Sequence, residues 1–384
     1  MQVYLDNAAT TRCSDRAKEL LLRYMTEEYG NPSSLHRMGK EAEDAVREAA
    51  KKIAKTIKAE EKEILFTSGG TESNNLALFG GAFANMRAGK HIITTSIEHA
   101  SVSAPVEFLA KQGFLVTYLS VDTCGRISIE ELKKALRPDT ILVSIMMVNN
   151  EIGTLQPVEE AAAVIKANNP DTLFHVDAIQ AYGKYRIYPR RMGIDLMSVS
   201  GHKVHAPKGT GFLYIRDKAK IKPVLYGGGQ QRGMRSGTEN VPGIVALGEA
   251  AAESYEDFES KAAHMRAQRE RLIEGITAVP GASVNGARQD GAAPHIVSVS
   301  IEGVRAEVML HALEEKGVFV SAGSACSSNK PAVSRTLKSI GLRPELLDAT
   351  VRFSLCAHTT CEEIDYAVEV LRETAPRLQK YTSK

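Results

Sequence analysis

Seven apolar runs of strand length recur in the first 215 residues, at 63–67, 91–95, 115–119, 141–145, 173–176, 195–199 and 211–215. Between many of them lie helical patterns. Ala42, Ala45, Val46, Ala49, Ile53 and Ile57, for example, keep the spacing of one apolar helix face. Strand and helix alternation of this kind predicts an α/β fold with a mostly parallel seven-stranded sheet and helices on both faces. From Ile244 to about Ile276 an Ala- and Glu-rich stretch predicts a long helix, broken once, that carries the chain out of this domain. Strands near 295–301, 318–320 and 351–354, with helical patterns between and after them, predict a smaller α+β domain.

In open α/β sheets ligands gather at strand ends, and two strand ends here carry unusual residues. Asp195-Leu196-Met197-Ser198-Val199 reads as a short buried strand, and Pro207 and Gly209 bar a helix soon afterwards. Ser200-Gly201-His202-Lys203 therefore puts a lysine at the end of a core strand, where an amine is costly unless paired, deprotonated or covalently bound. Such a lysine is a candidate Schiff-base former. Upstream, the strand ending at Asp177 offers a carboxylate, which also reads as an N-cap for Ala178 onward. An amine and a carboxylate on adjacent strand ends suit pyridoxal phosphate: the lysine bonds the aldehyde carbon and the carboxylate keeps the pyridine nitrogen protonated. Glu63-Ile64-Leu65-Phe66-Thr67, then Ser68-Gly69-Gly70, then a helix from Thr71 make a strand, glycine turn and helix N-terminus, an anion site or simply a tight turn. Neither a Walker-type loop nor a dinucleotide fingerprint is present.

Composition narrows the field. The net charge of +2 and the absence of blocks of like charge give no reason to expect nucleic acid or a membrane as partner. The longest apolar run, Ile141 to Val148, is too short to span a bilayer, and residues 1–14 lack the basic and apolar regions of a signal peptide, so a cytoplasmic location is expected. Five cysteines, at 13, 124, 326, 356 and 361, form no C-x-x-C and suggest a reduced compartment. Cys326 stands apart: its neighbours Gly323, Ser324, Ala325, Ser327 and Ser328 are small and polar, as on an exposed mobile loop.

Nine motifs in order resemble the pyridoxal-phosphate-dependent cysteine desulfurases. They are Tyr4-Leu5-Asp6-Asn7-Ala8-Ala9-Thr10-Thr11, Gly30-Asn31-Pro32-Ser33-Ser34, Thr67 to Asn75, Glu98-His99 and Val148 to Gly153, followed by Asp177-Ala178-Ile179-Gln180, Ser200 to Lys203, Arg235-Ser236-Gly237-Thr238 and Ser321 to Ser328. The last resembles the long-loop class that includes the nitrogen-fixation and housekeeping iron–sulfur enzymes. The resemblance implies the aspartate-aminotransferase-type fold (fold type I), with a large cofactor-binding domain over 15–255. The small domain would combine 1–14 with 256–384, and the site would lie at a homodimer interface. It implies that Lys203 carries the cofactor and moves the Cα proton, that Asp177 pairs with the pyridine nitrogen, and that Gln180 bonds the ring hydroxyl. His99 is expected to stack on the ring and to act in catalysis. Gly70, Thr71, Ser200 and His202 are expected to hold the phosphate, with Thr238 reaching in from the partner. Asn150 is expected near the ring and substrate, Asn31 and Arg352 on the substrate carboxylate, and Cys326 as the nucleophile that takes sulfur from L-cysteine and passes it to an acceptor such as an iron–sulfur scaffold. No metal is expected.

Two departures from the family pattern stand out. Cys356-Ala357-His358 follows Arg352-Phe353-Ser354-Leu355 where glycine and a bulkier, often basic residue are usual, which bears on the backbone near Arg352 and offers a second thiol. His205-Ala206 replaces an aromatic residue and glycine after the lysine, with little effect expected. Rival readings are a selenocysteine lyase or other β-elimination enzyme on the same cofactor, a donor for transfer-RNA thiolation, a zinc hydrolase built on His99, His175, Asp177, His202 and His205, and a non-catalytic scaffold.

Overall fold

The structure is a computed structural model that describes residues 1–322 and 333–382. The chain opens with a two-residue strand, β1 (Val3–Tyr4), and then builds a large sheet. Its strands are β2 (Ile64–Thr67), β3 (His91–Thr95), β4 (Leu115–Leu119), β5 (Thr140–Met146), β6 (Leu173–Asp177), β7 (Leu196–Ser200) and β8 (Gly211–Ile215), in spatial order β2-β8-β7-β6-β5-β3-β4. The pairs from β4 through β3, β5 and β6 to β7 are parallel. Strand β8 runs antiparallel to both β2 and β7. All seven apolar runs of the sequence are strands of this sheet.

The central strands are largely apolar because helices cover both faces, while the edge strand β4 is partly exposed. Met197, Val199, Phe212 and Tyr214 share one cluster with Ala42, Val46, Ala49 and Ile53 of helix Arg37–Thr56, the face expected from their spacing. Leu196 and Leu213 point the other way, into a cluster with Val102, Val106 and Leu109 of helix Ala100–Lys111. The alternation along β7 and β8 is that of any pleated strand, with both sides dry. Polar residues inside the sheet are satisfied locally. His175 bonds Ser144 Oγ through Nδ1 (2.8 Å) and Ser198 Oγ through Nε2 (2.9 Å), and burial pushes its imidazole down to about 3, so the ring is neutral.

The expected long helix is two, Val241–Tyr255 and Phe258–Thr277. They break at Asp257, whose φ of 48° lies in the left-handed region. A second, antiparallel sheet follows, of β9 (Ala282–Asn285), β10 (Ile296–Ile301), β12 (Ser321–Ala322) and β13 (Thr350–Ser354), in order β12-β13-β10-β9. The single strand expected near 318–320 is instead divided: β11 (Val318–Phe319) pairs in parallel with β1, and β12 joins β13. Val3 and Leu5 sit in the same apolar cluster as Leu272, Val299, Phe353 and Leu371. That shared cluster supports, as a proposal, the grouping of 1–14 with 256–384 against 15–255.

One carboxylate ties the strand starts together. Asp195, 5% exposed, accepts from the Phe174 backbone N–H of β6 (2.8 Å), from Lys166 Nζ (2.5 Å) and from Arg216 Nη1 (3.2 Å) after β8. Removing it leaves a buried N–H and two cations without their anion, so Asp195→Ala should cost about 3 kcal/mol. Urea unfolding checks this; a change under about 0.5 kcal/mol would mean that the staple is ornamental.

Candidate active site

The sheet brings the two strand-end residues side by side. In the β6–β7 register Asp177 is paired with Ser198, and β7 runs directly into a single 3₁₀ turn, Gly201–Lys203. Glycine is required at 201, where a Cβ would lie 2.3 Å from Thr210 Oγ1. Lys203 Nζ donates to the carbonyl oxygens of Ala8 and Ala9, each at 2.6 Å. The N-terminal arm is thus part of the site. Gln180 also reaches it, donating from Nε2 to Ala8 O (3.0 Å), while Gln180 Oε1 faces His295 Nε2 at 3.3 Å.

Asp177, 4% exposed, accepts from Ile179 N (3.0 Å) and from Asn74 Nδ2 (2.8 Å). Burial pushes its carboxyl up, and those two hydrogen bonds and the charge of Lys203 pull it back. A cation placed against it would complete the balance. His99 caps helix Ala100–Lys111, with Nδ1 accepting from Ser101 N at 3.1 Å. Gly70, Thr71, Ser200 and His202 line one open cavity with Gly69 and Lys208. Here the helical segment that begins at Gly70 directs its first amides, and a Cβ on Gly70 would meet Ile179 Cδ1 at 2.2 Å. His202 also holds the arm, its backbone oxygen accepting from Thr11 N (2.8 Å) and Thr11 Oγ1 (3.0 Å).

Arg352, in the middle of β13 and 7% exposed, donates from Nη1 to Asn150 O (2.7 Å) and from Nη2 to Asp6 Oδ1 (3.0 Å). Its Nε is buried without a partner. An unsatisfied guanidinium N–H in such a place fits an anionic ligand. Asn31 is exposed, with Oδ1 accepting from Ser33 N (2.9 Å), and Thr238 is exposed and outside the Gly70–Ser200 cavity of its own protomer. Cys326 lies outside the described residues.

At the departures from the family pattern, Cys356 does not have a positive φ, so its turn does not demand glycine; its N–H donates to Thr359 Oγ1 (3.0 Å). His205 does more than expected: at φ 65° it donates from Nδ1 to Arg12 O (2.9 Å) and from its backbone to Thr11 Oγ1 (2.8 Å), fixing the arm. The zinc alternative has no support: among the described residues no group of His, Cys, Asp and Glu could hold a metal ion.

Several neighbours were given no role from sequence, although Asn74 and Glu98 fall within its motifs. Lys184 Nζ donates to Lys203 O (2.5 Å), and the protein packed around it pushes its amine down to about 8. Asn74 and Ser101 contact Asp177 and His99. Glu98 sits beneath the site.

The class-V aminotransferase family model matches residues 3–367. The chain belongs to this family. Pyridoxal phosphate is the family's cofactor, and Lys203 and Asp177 at adjacent strand ends, the cavity at Gly70 and the unpartnered Arg352 Nε fit it and an amino-acid substrate. Within the class-V aminotransferases the chain falls among the cysteine desulfurases. It is 46% identical to cysteine desulfurase IscS of Methanosarcina thermophila over 98% of this chain and 93% of that protein. A solved NifS-like protein superposes with a TM-score of 0.91 at 38% identity, covering all of both chains. SspA, solved in complex with cysteine, is 37% identical with a TM-score of 0.82 over 94% of this chain and all of that one.

Glu98 yields a pH prediction. Its Oε1 accepts from Met146 N (2.9 Å) and Thr95 Oγ1 (2.8 Å), and its Oε2 is buried without a partner. Burial pushes the carboxyl up to about 8, and the nearby Asp177 charge adds to the effect. Between the ordinary carboxyl range and about 8 the folded protein therefore holds a proton that the unfolded chain has released, so stability falls as pH rises through that window. Relative to Glu98→Gln, the unsubstituted protein should lose up to about 1.4 kcal/mol per pH unit there. Parallel stability–pH curves for the two proteins would refute a protonated Glu98.

Proposed function

We propose that the chain is a cysteine desulfurase that converts L-cysteine to L-alanine and leaves the sulfur as a persulfide on Cys326. The observation that carries this reading is the placing of Lys203 and Asp177 at the ends of the adjacent central strands β7 and β6, with the arm carbonyls of Ala8 and Ala9 holding the amine. The relatives called cysteine desulfurase, aligned over nearly the whole chain, support the substrate. Pyridoxal phosphate, when bound, supplies an electron sink. Lys203 would hold it through Nζ, Asp177 would keep the proton on the pyridine nitrogen, and Gln180 would bond the ring hydroxyl.

Gly70, Thr71, Ser200 and His202 would take the phosphate, joined by Thr238 of a second copy in a homodimer. Arg352 and Asn31 would orient the substrate carboxylate, with Asn150 beside the reacting groups. Once its amine is released, Lys203 moves the proton at Cα. The Cys326 thiolate then attacks the substrate sulfur, so that an S–S bond forms as the C–S bond breaks. We assign the protein to the cytoplasm, with an iron–sulfur scaffold as sulfur acceptor. No helix among the described residues is long and apolar enough to cross a membrane.

Cys326→Ser should abolish sulfide release from cysteine while the yellow absorbance of the holoenzyme stays. Retained sulfide release would remove Cys326 from the reaction. Arg352→Lys keeps a charge and loses the fork, so it should raise KM for cysteine about tenfold with the absorbance unchanged; an unchanged KM would place the carboxylate elsewhere.

A further inference from the structure

Three hydrogen bonds run in a fixed direction through the buried space beside Asp177. Asn74, 0% exposed, donates one amide hydrogen to Asp177 Oδ2 and the other to Ser101 Oγ, both at 2.8 Å. Ser101 Oγ, already accepting, turns its own hydrogen to His99 Nδ1 at 2.8 Å. The same ring nitrogen accepts the Ser101 backbone N–H at 3.1 Å. None of these can be reversed. Flipping Asn74 would aim its carbonyl at a carboxylate, and a backbone N–H only donates. Asn74 Oδ1 is consequently left buried without a partner.

His99 Nδ1 is therefore an acceptor, and the neutral ring carries its hydrogen on Nε2. A proton at Nδ1 would confront a backbone N–H, a hydroxyl hydrogen and the positive end of a twelve-residue helix. Among the described residues, the acidic groups that couple electrostatically to this ring are Glu151 and Asp177, Glu98 is its neighbour in the chain, and the nearby base is Lys203. Burial pushes Glu98 and Glu151 up towards their neutral forms, which weakens the pull for a proton on the imidazole.

We propose that Asn74 and Ser101 are positioning residues that fix His99 as its Nε2–H form and tie it to Asp177 through one hydrogen-bonded chain. The proposal rests on His99 belonging to the desulfurase site, and it divides the labour there. His99 offers an N–H and so donates; the lone pair that removes a proton from carbon is left to Lys203. Ionised Asp177 keeps Asn74 oriented, which keeps the Ser101 hydroxyl aimed at the ring.

The test is two-bond ¹H–¹⁵N spectroscopy of holoenzyme labelled with ¹⁵N-histidine, with His99 identified by its loss in His99→Gln. The unsubstituted protein and Ser101→Thr, which keeps the hydroxyl, should show Nδ1 unprotonated and Nε2 protonated. In Ser101→Ala and in Asn74→Ala the His99 nitrogen shifts should move towards the average of the two tautomers, although Asn74 does not bond the ring. Combining the two changes should add nothing beyond the larger one, as for members of one chain. A protonated Nδ1 in the unsubstituted holoenzyme, or unmoved His99 nitrogens in a folded Asn74→Ala, would overturn the proposal. Cysteine turnover is not read, so a failed desulfurase assay and a failed tautomer assignment are told apart.

Discussion

The pairing of Asp177 with Ser198 across β6 and β7 sets everything chemical in this molecule. A slip of one residue would turn every side chain of β7 to the opposite face, sending Met197 and Val199 into the wrong cluster and the Lys203 turn away from Asp177. The register is enforced from both ends. Asp195, at the start of β7, binds Phe174 near the start of β6 and Arg216 just past the end of β8, and Gly201 lets the chain turn beneath Thr210 where any side chain would collide. The sheet is thus rigid where the site needs precision, and the polar ends rest on an apolar support.

Charge in the site is held in reserve. Burial pushes Asp6, Glu98, Glu151 and Asp177 all towards the neutral form, against the pull of Arg352 on Asp6 and of hydrogen-bond donors on the other three. The Nε of Arg352 is buried without a partner even though Nη2 bonds Asp6, and the enclosed Asp177 carboxyl is raised by burial, so each leaves room for a further opposite charge. In the proposed reading, a zwitterionic substrate and a cofactor with a pyridine nitrogen would supply both. Preorganised, poorly hydrated groups of this sort need little rearrangement when the charges arrive.

Much of this was legible in the chain itself. Apolar runs and helix spacing located the large sheet, because strands dry on both faces leave a pattern that needs no tertiary knowledge. Strand-end chemistry then singled out Asp177 and Lys203. Asn74, Ser101, Glu98 and Lys184 are not strand-end groups and could not be found this way, and most act through neighbours distant in sequence: Asn74 reaches Asp177 across 103 positions. His175 looked like a ligand until its two serine partners, on flanking strands, identified a satisfied core residue. The split of 318–322 between two sheets and the break at Asp257 depend on packing against β1 and on one left-handed residue, for which local composition carries no mark.

The arm from Leu5 to Thr11 joins elements made at opposite times in synthesis. Asn7 donates to Ser354 O, 347 positions away, and Ala8 N donates to Ser354 Oγ, while the carbonyls of Ala8 and Ala9 receive Lys203. A growing polypeptide can finish the central sheet once Ile215 has left the ribosome, yet the arm must wait for β13 before it can settle. A nascent chain that has made the central sheet but not β13 therefore lacks the settled arm whose carbonyls hold Lys203.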